Sequence, residues 1–191
     1  MEHRRKSIST ILRLFALAAA FICAAAFAVP AAAENGGEIP ERDLYEFSIQ
    51  AMEEGRYLRV WGLMRLTYVN RSEDTLYSVV LRLHANDADA NCMGIGSVGA
   101  DGRSAAYTLS SDGGILNISL PREIAPGEST RIFMRFDMTL PETGDRFGAN
   151  STGYMLGNAL PIAAMYENGA WRTEPYYSNG DSFYSRIADY K

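Results

Sequence analysis

Histidine and cysteine are scarce in this sequence, and their scarcity excludes several kinds of site. The 191 residues contain two histidines, His3 and His84, and two cysteines, Cys23 and Cys92. The first 33 residues have the pattern of a removable leader, so only His84 and Cys92 belong to the rest. A single cysteine cannot form an intramolecular disulfide, and these two residues do not supply the ligand set that zinc needs. We expect Cys92 to be a small buried side chain and His84 to be a structural residue inside a β-strand.

Positive charge is also scarce once the first 33 residues are set aside. Four of the 18 basic and one of the 23 acidic residues lie there, so the rest of the chain has 14 basic and 22 acidic residues and a net charge of −8. A protein of that charge is repelled by phosphate backbones and by anionic lipid surfaces. We therefore expect no nucleic-acid partner.

A long uncharged run is present only near the beginning of the chain. Basic residues 3–6 precede an apolar run over 14–29, and the small residues 30–33 follow it. This order is typical of a secretory signal peptide, and the run is shorter than the ~20 residues of a transmembrane helix. The sequence predicts a signal peptide over 1–33, a flexible segment over 34–42 and an exported protein, secreted or extracytoplasmic. The alternative is an uncleaved leader that anchors the chain in a membrane through its apolar run, and membrane contact is expected only in that case.

Helical periodicity is missing after the leader, and alternation of apolar and polar residues takes its place. Ile132, Met134 and Phe136, for example, share one face of an alternating run, as in a half-buried strand. Several strands separated by turns are typical of antiparallel β proteins. We predict an all-β domain over residues 43–191, built as a β-sandwich or a curved, saddle-like antiparallel or mixed sheet. The predicted strands are 44–51, 57–70, 76–85, 115–120, 129–140 and 183–190.

Turn residues lie between these strands. Asn168-Gly169 is the strongest short-range signal of a two-residue β-hairpin, and it predicts that a strand near Met165 pairs with one near Trp171. Pro126-Gly127 fits the central positions of a type II turn. In residues 183–190 neither face is purely apolar, so we expect this strand at a sheet edge or a domain junction.

An aromatic cluster near the end of the chain has two interpretations. Its members are Trp171, Tyr176, Tyr177, Phe183 and Tyr184. Aromatic residues on loops can stack on a sugar or a peptide, and the same residues in strands fill a core. The first interpretation gives a free-standing exported β-sandwich that binds a ligand through its loops. The second gives ordinary packing.

Several stretches of the chain stand in an order that resembles a known family. They are YVNRSEDTLYSVVLRLHAN, LNISLPREIAPGESTRIFMRFDMTLP, RFG and GYMLGNALPIAAMYENGAWRTEPYYSNGDSFYSRIADY. In this order they resemble the N-terminal domain of the aminopeptidase N and leukotriene hydrolase family of zinc metallopeptidases, in the gluzincin group. The similarity is greatest to the exported bacterial branch, and it extends over residues 43–191.

The resemblance implies a non-catalytic chain. The family's catalytic domain carries Gly-x-Met-x-Asn and His-Glu-x-x-His motifs, and neither occurs in this sequence. We therefore expect that the chain is not itself an enzyme, binds no cofactor, and is a fragment that stops before the catalytic domain of an exported zinc aminopeptidase. The zinc belongs to that domain. The expected partner is the same domain, and peptide substrates are expected to reach this chain only through it.

The resemblance also offers two residues for the edge of a substrate cleft. In many members the N-terminal domain contributes a Gln or Glu to the cleft, a few residues before a proline-containing block. The matching block here is Gly157 to Pro161, and residues 150–154 include no Gln or Glu. Asn150 and Asn158 are the candidates that remain.

Overall fold

The computed structural model describes residues 39–88, 92–142, 146–174 and 183–191. All of them belong to the second of the chain's two units, residues 33–191. The predicted signal peptide and most of the predicted flexible segment lie outside the described residues. In the described part of the chain no helix is long and apolar enough to span a membrane.

The second unit is built almost entirely of β-strands, which confirms the predicted all-β class. One short helix, α1 (His84–Ala88), interrupts them. The strands are β1 (Asp43–Glu54), β2 (Tyr57–Val69), β3 (Leu76–Arg82), β4 (Met93–Ala100), β5 (Arg103–Ser104), β6 (Tyr107–Leu109), β7 (Ile115–Ile124), β8 (Ser129–Thr139), β9 (Phe147–Asn150), β10 (Gly153–Leu156), β11 (Ile162–Ala163), β12 (Tyr166–Glu167), β13 (Ala170–Trp171) and β14 (Ala188–Tyr190).

The longest strands form a six-stranded sheet with the order β14-β1-β2-β8-β4-β5. Its neighbouring strands are antiparallel except for β14, which lies parallel to β1 at the edge. A second sheet has the order β11-β3-β7-β6, and β9–β10 and β12–β13 form separate hairpins. The sheet is therefore mixed, and its last strand lies at an edge as predicted.

Both larger sheets bury one face in a common apolar core. The alternation seen in the sequence is the cause, because every second side chain of a strand points to the same side of the sheet. The Tyr45 hydroxyl links the two sheets directly, since it accepts a hydrogen bond of 2.8 Å from the backbone N–H of Ala163. The core side chains include Met64, Leu66, Tyr68, Ile132, Met134 and Met138 from the large sheet and Val79, Leu81, Leu116 and Ile118 from the small one.

Two core tyrosines make stability sensitive to alkaline pH. Burial raises the pKa of Tyr45 well above its ordinary value and the pKa of Tyr68 to about 12. In the unfolded chain both lose their proton near pH ~10, so above that pH the unfolded state binds fewer protons than the folded state. The free energy of unfolding then falls as the pH rises.

We expect urea unfolding of residues 34–191 to show nearly constant stability up to about pH 9 and a progressive loss from about pH 10 to 12. The loss should be smaller in Tyr68→Phe, which has no phenol proton at that position. A variant that loses stability as steeply as the parent chain would show that this tyrosine does not contribute.

The predicted turns are confirmed. Asn168 and Gly169 have φ angles of 52° and 77°, as both central residues of a type I′ hairpin turn require. Tyr166 pairs with Trp171 across the hairpin, and the Arg172 N–H donates to the Met165 carbonyl at 2.7 Å. At the other predicted turn Gly127 has a φ of 82°, which suits the third position of a type II turn.

The prediction that residues 76–85 form one strand, with His84 inside it, is wrong. β3 ends at Arg82, and His84 begins α1. The side chain of Asn86 explains the change of direction. Its amide donates to the carbonyls of Met93 and Gly113 at 3.1 and 3.0 Å, and its oxygen accepts from the Met93 N–H at 2.8 Å. These bonds draw the chain away from the sheet.

The prediction that residues 183–190 form one strand is correct only at its end. β14 comprises Ala188–Tyr190, and residues 183–187 are irregular. Side-chain contacts replace the ladder there. Phe183 meets the His84 ring edge to face at 4.8 Å between centroids, and the Tyr184 hydroxyl donates to Glu167 Oε1 at 2.9 Å.

Candidate functional site

Asn150 and Asn158 are both exposed and lie in tight turns. Asn150 ends β9, and its Oδ1 accepts hydrogen bonds from the backbone N–H and the hydroxyl of Thr152, at 2.8 and 2.5 Å. Asn158 has a left-handed backbone, with a φ of 57°. Asparagine tolerates this conformation better than most residues, so the turn itself accounts for its presence. A role for either residue at the edge of a cleft stays a prediction.

A cluster of buried polar side chains lies where β3 passes into α1. We call Arg82, His84 and Asp87 the polar cluster. Oδ2 of Asp87 lies 2.9 Å from Nδ1 of His84 and 3.4 Å from Nη2 of Arg82. The side chains are 7%, 1% and 6% exposed in chain order. The carboxylate therefore compensates the guanidinium out of contact with water, as buried charges require.

Two nitrogens of the polar cluster have no hydrogen-bond partner among the described residues. They are Nε of Arg82 and Nε2 of His84. An ionised carboxylate can only accept hydrogen bonds, so Nδ1 of His84 is the donor to Asp87 and the remaining ring nitrogen is the one left over. Unpaired buried polar atoms are costly, which makes the polar cluster sensitive to any loss of its single carboxylate.

Aromatic and cationic side chains connect the polar cluster to the turn that holds Asn158. The Phe183 ring covers His84, and the Arg146 guanidinium lies over Phe183 at 5.3 Å from its centroid. The Arg146 carbonyl in turn accepts from the Gly157 N–H at 2.8 Å. Three segments that are distant in sequence therefore meet, and one of the two candidate asparagines is next to them.

The side chains of His84 and Cys92 are hydrogen-bonded to their own neighbours. His84 is enclosed and bonded to Asp87, and the Cys92 thiol donates to the Ala85 carbonyl at 3.1 Å. Within the described ranges no three His, Cys, Asp or Glu side chains converge as metal ligands. The donor set therefore does not fit the zinc that the sequence resemblance implies for the catalytic domain. Through His84 the polar cluster also contacts Phe183 at the β3–α1 junction.

The aromatic cluster divides between packing and exposure. Trp171 is half-buried and lies 5.8 Å from Tyr68 and 5.1 Å from Tyr166 between ring centroids. For Trp171 these contacts agree with the interpretation that the aromatic residues pack inside the fold. Tyr184 is exposed, and Tyr176 and Tyr177 lie outside the described residues.

Sequence reasoning missed Arg82, Asp87 and Arg146. A partial signal was present, because His84 and Asp87 are three residues apart, the spacing at which side chains on a helix meet. The predicted strand over 76–85 concealed it, because it placed His84 in a strand that ends before Asp87.

Comparisons with known proteins gave matches only among solved structures. No family model matches the chain, and no curated protein matches it. A mutant M1 zinc metallopeptidase from Deinococcus radiodurans bound to a Tyr-Ser-Ala substrate is 18% identical with a TM-score of 0.42, covering 54% of this chain and 22% of its own. A two-domain M1 zinc metallopeptidase mutant bound to L-tryptophan is 16% identical with a TM-score of 0.39, covering 56% and 22%.

A third neighbour is an M1 zinc metallopeptidase from Deinococcus radiodurans, 15% identical with a TM-score of 0.38, covering 53% of this chain and 22% of its own. The structural neighbours named here are thus M1 zinc metallopeptidases, and about half of this chain takes part in each match. This chain corresponds to about a fifth of the length of each neighbour.

Proposed function

We propose that this chain is the non-catalytic N-terminal β domain of an exported zinc aminopeptidase. In this role the domain packs on a catalytic domain that is not part of the chain and forms one wall of its cleft. The ordered sequence resemblance over residues 43–191 supports the proposal. The all-β fold, which the alternation of apolar and polar residues predicted, is consistent with it.

The observation that carries the proposal is an exposed apolar strip along residues 183–190. Tyr184, Ile187 and Tyr190 are 56%, 80% and 55% exposed. Closely spaced apolar side chains of this size mark an interaction surface on a soluble protein. The backbone beside them is held firmly, because the Lys191 N–H donates to the Tyr45 carbonyl at 2.8 Å and its carbonyl accepts from Phe47 at 3.0 Å. The strip is thus presented on a fixed edge.

A chain of contacts connects the strip to the candidate cleft residues. Phe183 is followed directly by Tyr184 of the strip. Its ring contacts Arg146, which adjoins the strand that Asn150 ends and bonds to the turn that holds Asn158. A catalytic domain that covers the strip would therefore bring the two asparagines close to its cleft. We propose that they face the substrate there, and that peptides reach this chain only in that complex.

Sequencing the gene beyond the codon for Lys191 tests the proposal most directly. The expected result is an uninterrupted reading frame that encodes His-Glu-x-x-His and, before it, Gly-x-Met-x-Asn. A stop codon immediately after Lys191 would overturn the proposal and favour a free-standing binding module.

Metal content provides a second test. Residues 34–191 contain a single histidine and a single cysteine, so we expect no stoichiometric zinc after dialysis and no cleavage of aminoacyl amides. Metal analysis by mass spectrometry checks the first and a chromogenic amide assay the second. One tightly held zinc per chain would contradict the expectation.

Self-association is the expected behaviour of residues 34–191 made alone. The exposed strip and the open outer edge of β14 offer a surface to a second chain, so we expect light scattering to show oligomers and thermal melts to show marginal stability. Ile187→Ser should reduce the oligomers, whereas Tyr77→Ser, which removes another exposed apolar residue on β3, should not. A monodisperse monomer with a cooperative melt would count against a missing partner domain.

A further inference from the structure

The outer face of the large sheet carries arginines without acidic partners. Along β8 the residues that alternate with the buried ones are Arg131, Phe133 and Arg135, followed by Asp137. Arg65 on β2 is directly opposite Phe133 in the strand register. Neighbouring strands are ~4.8 Å apart, so the three arginines surround the one aromatic ring. We call Arg65, Arg131, Arg135 and Phe133 the arginine shelf.

The arginines of the shelf differ from most others in the described residues. Seven arginines there form ion pairs, whereas Arg65, Arg131 and Arg135 form none. All three are exposed. Their guanidinium groups are therefore available to an anion from outside the chain.

Glycines leave the neighbouring strand without side chains beside the shelf. A Cβ at Gly99 of β4 would lie 2.9 Å from Cδ1 of Phe133, and one at Gly96 would lie 3.4 Å from Cβ of Arg135. The phenyl ring therefore rests against bare backbone. The result is a half-buried aromatic ring with arginines on several sides of it.

Three acidic residues lie beside the arginines of the shelf. Glu46 is opposite Arg65 on β1 without an ion pair, Asp137 lies at the end of the row, and Asp101 accepts a hydrogen bond from the backbone N–H of Arg131 at 2.9 Å. Most of the chain's negative charge lies elsewhere. Among the described residues none of these acidic side chains forms an ion pair with a shelf arginine, so the guanidinium N–H groups stay available as donors.

We propose that the arginine shelf binds an anionic polysaccharide, with carboxylate or sulfate groups on the arginines and a sugar ring over Phe133. Arginine binds such oxyanions through paired N–H donors. The backbone groups of β2 and β8 are used in the sheet ladder, so this face offers a peptide no strand pairing. A polysaccharide keeps its hydroxyls in solvent and presents apolar C–H faces. This inference does not rest on the proposed function.

Titration of the full 191-residue chain, held in mild detergent because residues 14–29 are apolar, tests the proposal. The probes are polygalacturonate for carboxylate, dextran sulfate for sulfate, and neutral dextran. We expect binding to at least one anionic glycan, weakening with added salt, and none to dextran. The triple variant Arg65→Gln, Arg131→Gln and Arg135→Gln should weaken binding by roughly tenfold or more.

The matched control is Arg56→Gln, Arg122→Gln and Arg172→Gln, which removes the same charge from exposed, ion-paired arginines outside the shelf. Its affinity should stay within about twofold of the parent chain. Phe133→Leu should weaken glycan binding while retaining apolar volume. Equal losses in the two triple variants, or tighter binding to polyglutamate than to either glycan, would overturn the proposal, the latter result in favour of an acidic protein partner.

Discussion

Replacing Asp87 with alanine is expected to lower the free energy of unfolding by about 3–5 kcal/mol. The carboxylate is 6% exposed, and it is the acidic partner of both Arg82 and His84. Without it the guanidinium is left charged and buried, with Nε already unpaired. Removing the partner of a buried charge lowers the free energy of unfolding far more than breaking an ion pair at the surface does.

Two controls separate charge from shape in this experiment. Asp87→Asn retains an oxygen that can accept from His84 and removes the charge, so we expect a loss smaller than that of the alanine variant. Glu128→Ala breaks the exposed pair with Arg122, 2.8 Å long, and should leave the urea midpoint nearly unchanged. Urea unfolding of residues 34–191 at low protein concentration is the measurement. If Asp87→Ala were as mild as Glu128→Ala, the polar cluster would not stabilise the fold.

The strands were predictable because their signal is local. In β2 and β8 the buried residues alternate with exposed ones along nearly the whole strand, and period-2 alternation on one half-buried face specifies a strand without reference to the rest of the chain. The Asn168-Gly169 hairpin was predictable for the same reason, since two positive φ angles are a property of those two residues.

The departures from the predicted strands depend on contacts across the fold. α1 is held by hydrogen bonds from Asn86 to Met93 and Gly113, and no pattern within residues 76–85 specifies those partners. The irregular stretch likewise begins at Phe183, which contacts His84, 99 residues earlier in the sequence. Alternation alone predicts a strand at both places, and tertiary contacts override it.

The candidate site was less predictable than the fold. Asn150 and Asn158 came from a sequence resemblance, and the structure places both in exposed turns without bringing them into contact with a reactive group. The polar cluster and Arg146 come together from separate elements, so their proximity is a property of the sheet arrangement. The arginine shelf was partly predictable from the sequence. Its β8 residues show the spacing of one strand face, whereas the register that adds Arg65 comes only from strand pairing.

Gly62 on β2 is expected to tolerate no side chain while Phe136 is present. The two residues are directly opposite on the buried face of β2 and β8, and a Cβ at Gly62 would lie 2.0 Å from Cζ of Phe136. The ring is 3% exposed and enclosed by the core, so it cannot move aside cheaply. We expect Gly62→Ala to lower the free energy of unfolding by about 1–3 kcal/mol.

A double-mutant cycle identifies the ring as the cause of that loss. Phe136→Ala alone should cost about 3–5 kcal/mol through the cavity that it leaves. In the combined variant the new methyl group occupies part of that cavity, so the total loss should be smaller than the sum of the single losses by about 1 kcal/mol or more.

Gly94→Ala, whose methyl would meet the exposed Asp137 side chain at 3.0 Å, should change stability little and serves as the control for glycine replacement in a strand. Strictly additive losses at Gly62 and Phe136, measured by urea unfolding, would show that the ring does not depend on the bare backbone beneath it.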